Sequence, residues 1–544
     1  MDRLKTLLQT IDKHLLPALV WIFFILIPLY PKLPLMHVNF TYIAIRLEDL
    51  YFALLSFVFL IYLIRKKISI NKKILIYFLL YWLAIFISYI FGLYFFQTIH
   101  YPKLGFLHTL RRVEYMLPFF YTALLIGNTK DLLKFLKVGL TVALIVCLYG
   151  LGQKFLGFPA VQTMNDEYSK GLILRLTPEA RVSSTFGGHY DLAAYLVFFI
   201  PIIIALNIYT KQKRYFLLLV LAIYMLILTS SRISFIAYIV SVSFFLLFFK
   251  KIRYLLLVIL ITAVLTVYDK TIIERFSRTI QVKQVVKTNQ EVYIPQEIRP
   301  DELPAGSFNI ETNLPILKKI AEEKTSKQDL EKAQKKAIED LAVSAGFSTA
   351  EARIIAEKKD LATIESKIKE TNNKSLLNEL NKLKPIISEE DLKENRKQAQ
   401  DLLKPATAIL TDISFATRIQ VEWPRAIGSF LTSPLIGLGA STITEATDNS
   451  YLRSLGEFGL LGTVLYFYLL LKEIGYKILN QAKKLKSKNN KMHLIYFGFC
   501  FGILALLINA TYIDVFEASK VAFMLWMVAG AFYKSITINR KQKI

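Results

Sequence analysis

Four stretches of this chain press polar and charged side chains against long apolar runs. The first is RVSSTFGGHYDLAAYL, beginning at Arg181. An arginine offers a fork of N–H donors to a phosphate, and Gly187 and Gly188 let a backbone approach a bound ligand closely. A helix starting near residue 190 adds free N–H groups and the positive end of its dipole, a combination suited to an anion. Asp191 in the first turn competes for that positive end, and a polar helix start that snorkels at an interface explains the same residues without a ligand. The second stretch is LTSSRISFIAYIV, with Arg232 between two apolar runs, either as an interfacial anchor or as a ligand contact. The third, ATRIQVEWPRAIGSFLTSPLIGLGAS, carries Arg418 and places Ile419, Trp423, Ile427 and Phe430 on one helical face. That stripe suits a helix lying on a membrane surface or one packed on a core. The fourth, DNSYLRSLGEFGLLG, offers Asp448, Asn449 and Glu457, where a carboxylate can serve as a base or as a helix cap.

What positions these residues is a set of apolar helices. The chain has 544 residues, 54% of them hydrophobic, and its mean hydropathy is +0.42. These values and the repeated apolar runs predict an all-α polytopic membrane protein rather than a soluble globular one. The net charge of +25 raises the question of nucleic acid. The hydrophilic segment 269–447 balances its basic and acidic residues, however, so the excess lies in the membrane part and nucleic acid is not an expected partner. Cys147 and Cys500 fall inside apolar runs, so no disulfide framework is expected.

About twelve runs reach the length needed for a hydrocarbon core of about 30 Å. They lie near 15–36, 48–64, 74–96, 110–128, 132–156, 190–209, 215–229, 233–249, 254–268, 456–471, 493–510 and 516–533. With the N-terminus in the cytoplasm, the clusters Arg65–Lys67, Lys72–Lys73, Lys130–Lys137, Lys211–Arg214, Lys250–Arg253 and Lys483–Lys491 and the C-terminal lysines all fall inside, as the charge rule for loops requires. The expected organisation is 1–268 with nine spans, 269–455 as a large extracytoplasmic loop, and 456–544 with three spans and a cytoplasmic tail. The loop holds a charged helical insert over about 283–405, with helix starts at Ser326-x-x-Asp329, Ser348-x-x-Glu351 and Ser388-x-x-Asp391 and Pro385 as punctuation. An interfacial helix follows over about 414–431.

Arg181, Arg232, Arg418 and Asp448 are distant in sequence, yet this topology puts all four at one depth, just outside the outer leaflet, where the head group of a lipid-linked pyrophosphate would sit. Arg46, Glu48, Asp49, Arg111, Arg112 and Glu114 share that depth and are expected to form structural ion pairs. The six histidines lack paired ligand spacing, so no metal site is expected, and no serine or cysteine nucleophile signature is present.

In their order, the four stretches resemble the O-antigen ligase and polymerase superfamily of bacterial envelope glycan enzymes, over roughly 180–470 apart from the charged insert. The resemblance implies a GT-C-like helical fold in the bacterial inner membrane. It also implies an undecaprenyl-pyrophosphate-linked glycan as donor, and inverting transfer without metal or other cofactor to a glycan, lipid or protein acceptor at the outer face. Arg181, Arg232 and Arg418 would then hold the pyrophosphate, and Gly187, Gly188 and Asn449 would contact substrate. Ligases commonly carry a histidine where this chain has Asp448, which leaves Asp448, His189 and Glu457 as alternative bases. A repeat-unit polymerase is the nearest alternative function, and a transporter or flippase for lipid-linked sugars is the alternative of another class.

Overall fold

The computed structural model describes residues 2–37, 44–163, 169–177, 180–288, 291–293, 327–371, 373–387, 404–411, 415, 417–443 and 447–541. The chain forms two compact units, Met1–Arg275 with Val421–Ile544, and Phe276–Gln420. The end of the hydrophilic segment, from residue 421 onward, thus belongs with the apolar helices.

In the first unit, helix lies over every apolar run named above. The elements up to residue 279 are α1 (Asp2–Leu29), α2 (Leu47–Ile64), α3 (Lys72–Ile90), α4 (Pro102–Met116), α5 (Pro118–Ala123), α6 (Thr129–Phe155), α7 (His189–Thr210), α8 (Lys213–Leu228), α9 (Arg232–Phe248), α10 (Ile252–Tyr268) and α11 (Thr271–Thr279). Short antiparallel hairpins join some of them: β1 (Pro34–His37) pairs with β2 (Ala44–Arg46), and β3 (Pro159–Val161) with β4 (Ile173–Arg175).

Among the described residues, seven helices are long and apolar enough to cross a membrane, or eight if α10 and α11, bent by 84°, count as one broken span. The helices differ in how much protein surrounds them. In α7 and in the span Ser519–Ile538, 83% of the apolar window is buried, against 22% in α2. The first two therefore form the centre, while α2 turns Leu54, Phe57 and Leu60 outward, as a lipid-facing helix does. Glycines set the closest approach. An added Cβ at Gly498 would meet Pro201 O at 2.9 Å, so this contact with α7 needs a residue without a side chain.

The two ends of this bundle differ in chemistry. At one end Asp12 of α1 pairs with Arg65 at 2.9 Å and with Lys67 just past α2. Lys32, Arg46 and the first turn of α7 lie at the other.

The second unit was legible mainly in its middle. Four helices, α12 (Lys327–Ser344), α13 (Thr349–Lys358), α14 (Leu361–Glu370) and α15 (Lys374–Ile387), enclose a small core of Ile338, Leu341, Ile355, Ile364, Ile368 and Leu380. Ser348 caps α13 as its spacing predicts: its Oγ accepts from Glu351 N, and Glu351 returns the bond to the Ser348 backbone. Pro385 lies in the last turn of α15 rather than beyond it. Ser326, Ser388 and Asp391 lie outside the described residues. Flanking these helices in sequence is an unexpected antiparallel sheet in which β5 (Ile280–Thr288) pairs with β6 (Glu291–Tyr293) and, from Ile280 to Lys287, with the whole of β7 (Lys404–Thr411). Arg418 is buried and opens a π-helical turn, Arg418–Glu422.

The chain then forms α16 (Trp423–Thr432), α17 (Ser450–Phe467), α18 (Lys477–Ser487), α19 (His493–Asn509) and α20 (Ser519–Lys541). Pro424 sits in the first turn of α16, where its missing N–H costs nothing. This helix buries Ala426 and leaves Ile427 and Leu431 exposed, so its apolar stripe is only partly used by the protein itself.

Candidate functional site

The polar end of the first unit holds a cavity of about 120 Å³. Its charged lining comes from five separate elements. Lys32 follows α1, and the β1–β2 hairpin brings Arg46 opposite Pro34. Helix α4 supplies His108, Arg111 and Tyr115, whose spacing of three and then four residues puts them on one face. Arg453 comes from α17, and Glu517 and Ser519 from the turn into α20. Thr163 completes the wall. Four permanent or ordinary cations thus face one carboxylate, and Glu517 is already ion-paired with Arg112.

The acids behind these cations hold them unequally. Glu457 is buried between two guanidiniums, with Oε2 at 2.9 Å from Arg112 and Oε1 at 3.3 Å from Arg453. Arg453 also meets Asp514 at 3.0 Å. By contrast, Lys32–Asp191, Arg46–Glu48 and Arg111–Asp49 stand 3.5, 3.9 and 3.7 Å apart. Those longer separations leave donors directed at the cavity. Arg46 Nε and Ser519 Oγ, both buried, have no hydrogen-bond partner among the described residues. A buried donor without a partner is costly, and a ligand with several acceptor oxygens would satisfy it.

The field of this cluster shows in its titratable groups. Burial pushes the Lys32 ammonium down from its ordinary range, opposed by Asp191 and reinforced by Arg46 and Arg111. His108 is pushed down to about 3, first by burial and then by Arg453, Arg112 and Arg111.

The structure sorts the residues singled out from sequence. Gly187 borders the cavity, because a Cβ there would lie 2.9 Å from Lys32 Cδ and would clash with Thr163 Oγ1. Gly188 is the extended N-cap of α7, and Asp191 one turn on pairs with Lys32, so the GGHYD segment forms a wall of the cavity. Arg181 lies 2.6 Å from His189. A guanidinium has no acceptor, so the imidazole Nε2 must accept, and the lone pair a general base would use is already engaged. Arg232 donates instead to the Arg275 carbonyl at 3.4 Å. Its loop does adjoin that of Arg181, since Val182 N donates to Leu228 O at the end of α8. Neither Arg181 nor Arg232 lines the cavity.

Asn449, expected to touch substrate, is the N-cap of α17: its Oδ1 accepts from Tyr451 N and Leu452 N, and its Nδ2 donates to Thr511 O. Asp448 precedes it in the left-handed region, with φ of 48°. That conformation is held from outside, because Asp514 accepts from Thr447 N at 2.9 Å and from Asn449 N at 3.1 Å. With both oxygens in ion pairs, Glu457 has the geometry of a counter-ion rather than of an accessible base.

Directly after Glu457, α17 is broken at Gly459, with φ of 62° and ψ of −167°. The loop from Pro434 to Gly439 fills the break: Leu438 N and Gly439 N donate to Gly456 O and Glu457 O, while Leu460 N and Leu461 N donate to Pro434 O and Leu435 O. Backbone groups freed inside an apolar bundle are thereby satisfied by the same chain.

Sequence reasoning reached Arg46 and Arg111 but read them only as ion pairs, which they also are. It missed Lys32, His108, Arg453, Asp514, Glu517 and Ser519. One local signal was available: Arg453 and Glu457, four residues apart on an apolar helix, imply a buried charged cluster.

Comparison of the chain with known protein families, curated proteins and solved structures finds no match.

Proposed function

We propose that this chain is an integral membrane glycosyltransferase that takes a glycan from a polyprenyl-diphosphate carrier, undecaprenyl in the bacterial case, and passes it to an acceptor hydroxyl. The observation that carries this reading is the cavity lined by Lys32, Arg46, Arg111 and Arg453 at the end of the bundle opposite the Asp12–Arg65 pair. A diphosphate needs several converging donors and loses its water only where the protein replaces it. In this reading the twelve helical runs are spans of a GT-C-like fold in the inner membrane, both termini are cytoplasmic and the cavity faces outward. The polyprenyl tail lies in lipid beside the helices.

The acceptor oxygen attacks the anomeric carbon while the cations stabilise charge growing on the departing diphosphate. Asp448, whose backbone is held by Asp514 through its two neighbours, is the candidate to take or orient the acceptor proton. Arg181 and Arg232 contact the donor from the neighbouring loops. A transporter would also use a broken helix; in α17, however, the backbone groups freed at the break are hydrogen-bonded to the protein's own loop rather than left for a ligand.

The reading is tested by supplying purified protein in nanodiscs with a labelled polyprenyl-diphosphate glycan and an acceptor. Covalent transfer with release of polyprenyl diphosphate supports it. Movement of the intact lipid-linked glycan between leaflets, with no transfer, points to the transporter instead. A product that lengthens by repeat units on the carrier identifies a polymerase, and a glycan placed on a different acceptor identifies a ligase.

A further inference from the structure

Among the groups lining the cavity, His108 is the one whose charge a ligand can switch. From its own helix Arg111 and Arg112 face it, and from α17 Arg453 does. Lys32 and Arg46 stand on the remaining walls, with Glu517 as the lining carboxylate and Tyr115 as a phenol. The other acids lie behind the cations: Asp191 behind Lys32, Glu48 behind Arg46, Asp49 and Glu114 near Arg111, and Asp514 and Glu457 against Arg453. An imidazole ringed in this way is kept neutral by burial and by its cationic neighbours. A dianion seated among the same cations reverses the field that the ring experiences.

We propose that a diphosphate ligand enters the cavity together with one proton, taken from solvent by a ring nitrogen of His108, so that the cavity binds its ligand more tightly as the pH falls. This rests on the cavity being the diphosphate subsite. The imidazolium becomes an additional donor to the ligand, and the charge of the filled site is that of four cations and one imidazolium against the two ligand charges and Glu517.

The sign follows from linkage. Without ligand, burial and the neighbouring guanidiniums hold the His108 imidazole down at about 3; with ligand it returns toward its ordinary value of about 6.5. Between these limits binding takes up a proton, and affinity falls by up to about tenfold for each unit that pH rises. Above the upper limit the ring is neutral in both states and affinity is level.

The probe is P1,P2-dimethyl diphosphate, whose two charges are fixed across the neutral range, titrated into the full-length protein in nanodiscs. Calorimetry at one pH in buffers of different ionisation enthalpy counts the protons. The wild type is expected to take up close to one proton near pH 5 and to bind about tenfold more weakly per unit up to about pH 6.5. His108→Gln is expected to lose that uptake and slope while still binding the probe, and a melting temperature near that of the wild type shows that the variant is folded. Binding with the same slope in both proteins, or without proton uptake in the wild type, overturns the proposal and leaves the diphosphate subsite standing. Failure of the wild type to bind the probe at any pH overturns the subsite, and the proposal with it.

Discussion

Asp514 and Arg453 meet at 3.0 Å, and through that contact one carboxylate ties the cavity wall to the loop that carries Asp448. Asp514→Ala removes the acceptor for two backbone N–H groups and leaves Arg453 with Glu457 as its remaining carboxylate partner in the described network. Breaking a buried pair of this kind costs about 3–5 kcal/mol. A fall in the melting temperature is expected, with a larger loss of transfer than in Asp514→Asn, which keeps one acceptor oxygen. Unchanged stability in both variants would show that the clamp contributes nothing.

Glu457→Gln separates counter-ion from base. It takes a negative charge from between Arg112 and Arg453, both of which are buried. Destabilisation of about 3 kcal/mol or more is expected, and the residual activity should keep the pH profile of the wild type. A stable variant whose pH–rate profile loses its acidic limb would instead make Glu457 the base.

Gly187→Ala tests the wall of the cavity. The new methyl group meets Lys32 Cδ at 2.9 Å and displaces Thr163 Oγ1. Because Lys32 ends in a flexible chain, the expected effect is weaker diphosphate binding with little change in melting temperature. Gly459→Ala behaves differently: φ of 62° with ψ of −167° is open essentially to glycine alone, and the Cβ would press on Leu435 O at 2.5 Å. Thermal melts of the two variants should therefore differ clearly, with Gly459→Ala the less stable.

Ser348→Ala, in the helical module, removes the reciprocal cap of α13 and is expected to cost about 1 kcal/mol of local stability. Hydrogen exchange at Glu351 and its neighbours would register the change. Exchange rates identical to the wild type would mean that the cap is not used in solution.

What could be read from the sequence was local or periodic. Apolar length alone announced the helices, and Ser348 with Glu351 announced a helix start because both partners lie within one turn. The sheet of β5 and β7 could not be read in that way: Ile280 pairs with Thr411 across the whole insert, and nothing local ties the two segments. The cavity was hidden for the same reason. Lys32, Arg46, Arg111 and Arg453 come from four elements, and each alone looks like an interfacial cation or half of an ion pair. The expected topology gave Arg46 and Arg111 a common depth, whereas the convergence of all four depends on how the helices pack. Asn449 shows the reverse error: a polar residue at a helix mouth is claimed first by the backbone it caps.

The most direct measurement is the rate of glycan transfer from a polyprenyl-diphosphate donor by purified Arg46→Ala and Arg111→Ala, two cavity arginines whose own ion pairs are long at 3.9 and 3.7 Å. If these side chains stabilise the leaving diphosphate, each variant, assayed at a temperature where its melt shows it folded, should lose about 10²–10³ in kcat, or about 2.7–4 kcal/mol of barrier. Folded variants that transfer glycan at the wild-type rate would contradict the assignment of this cavity.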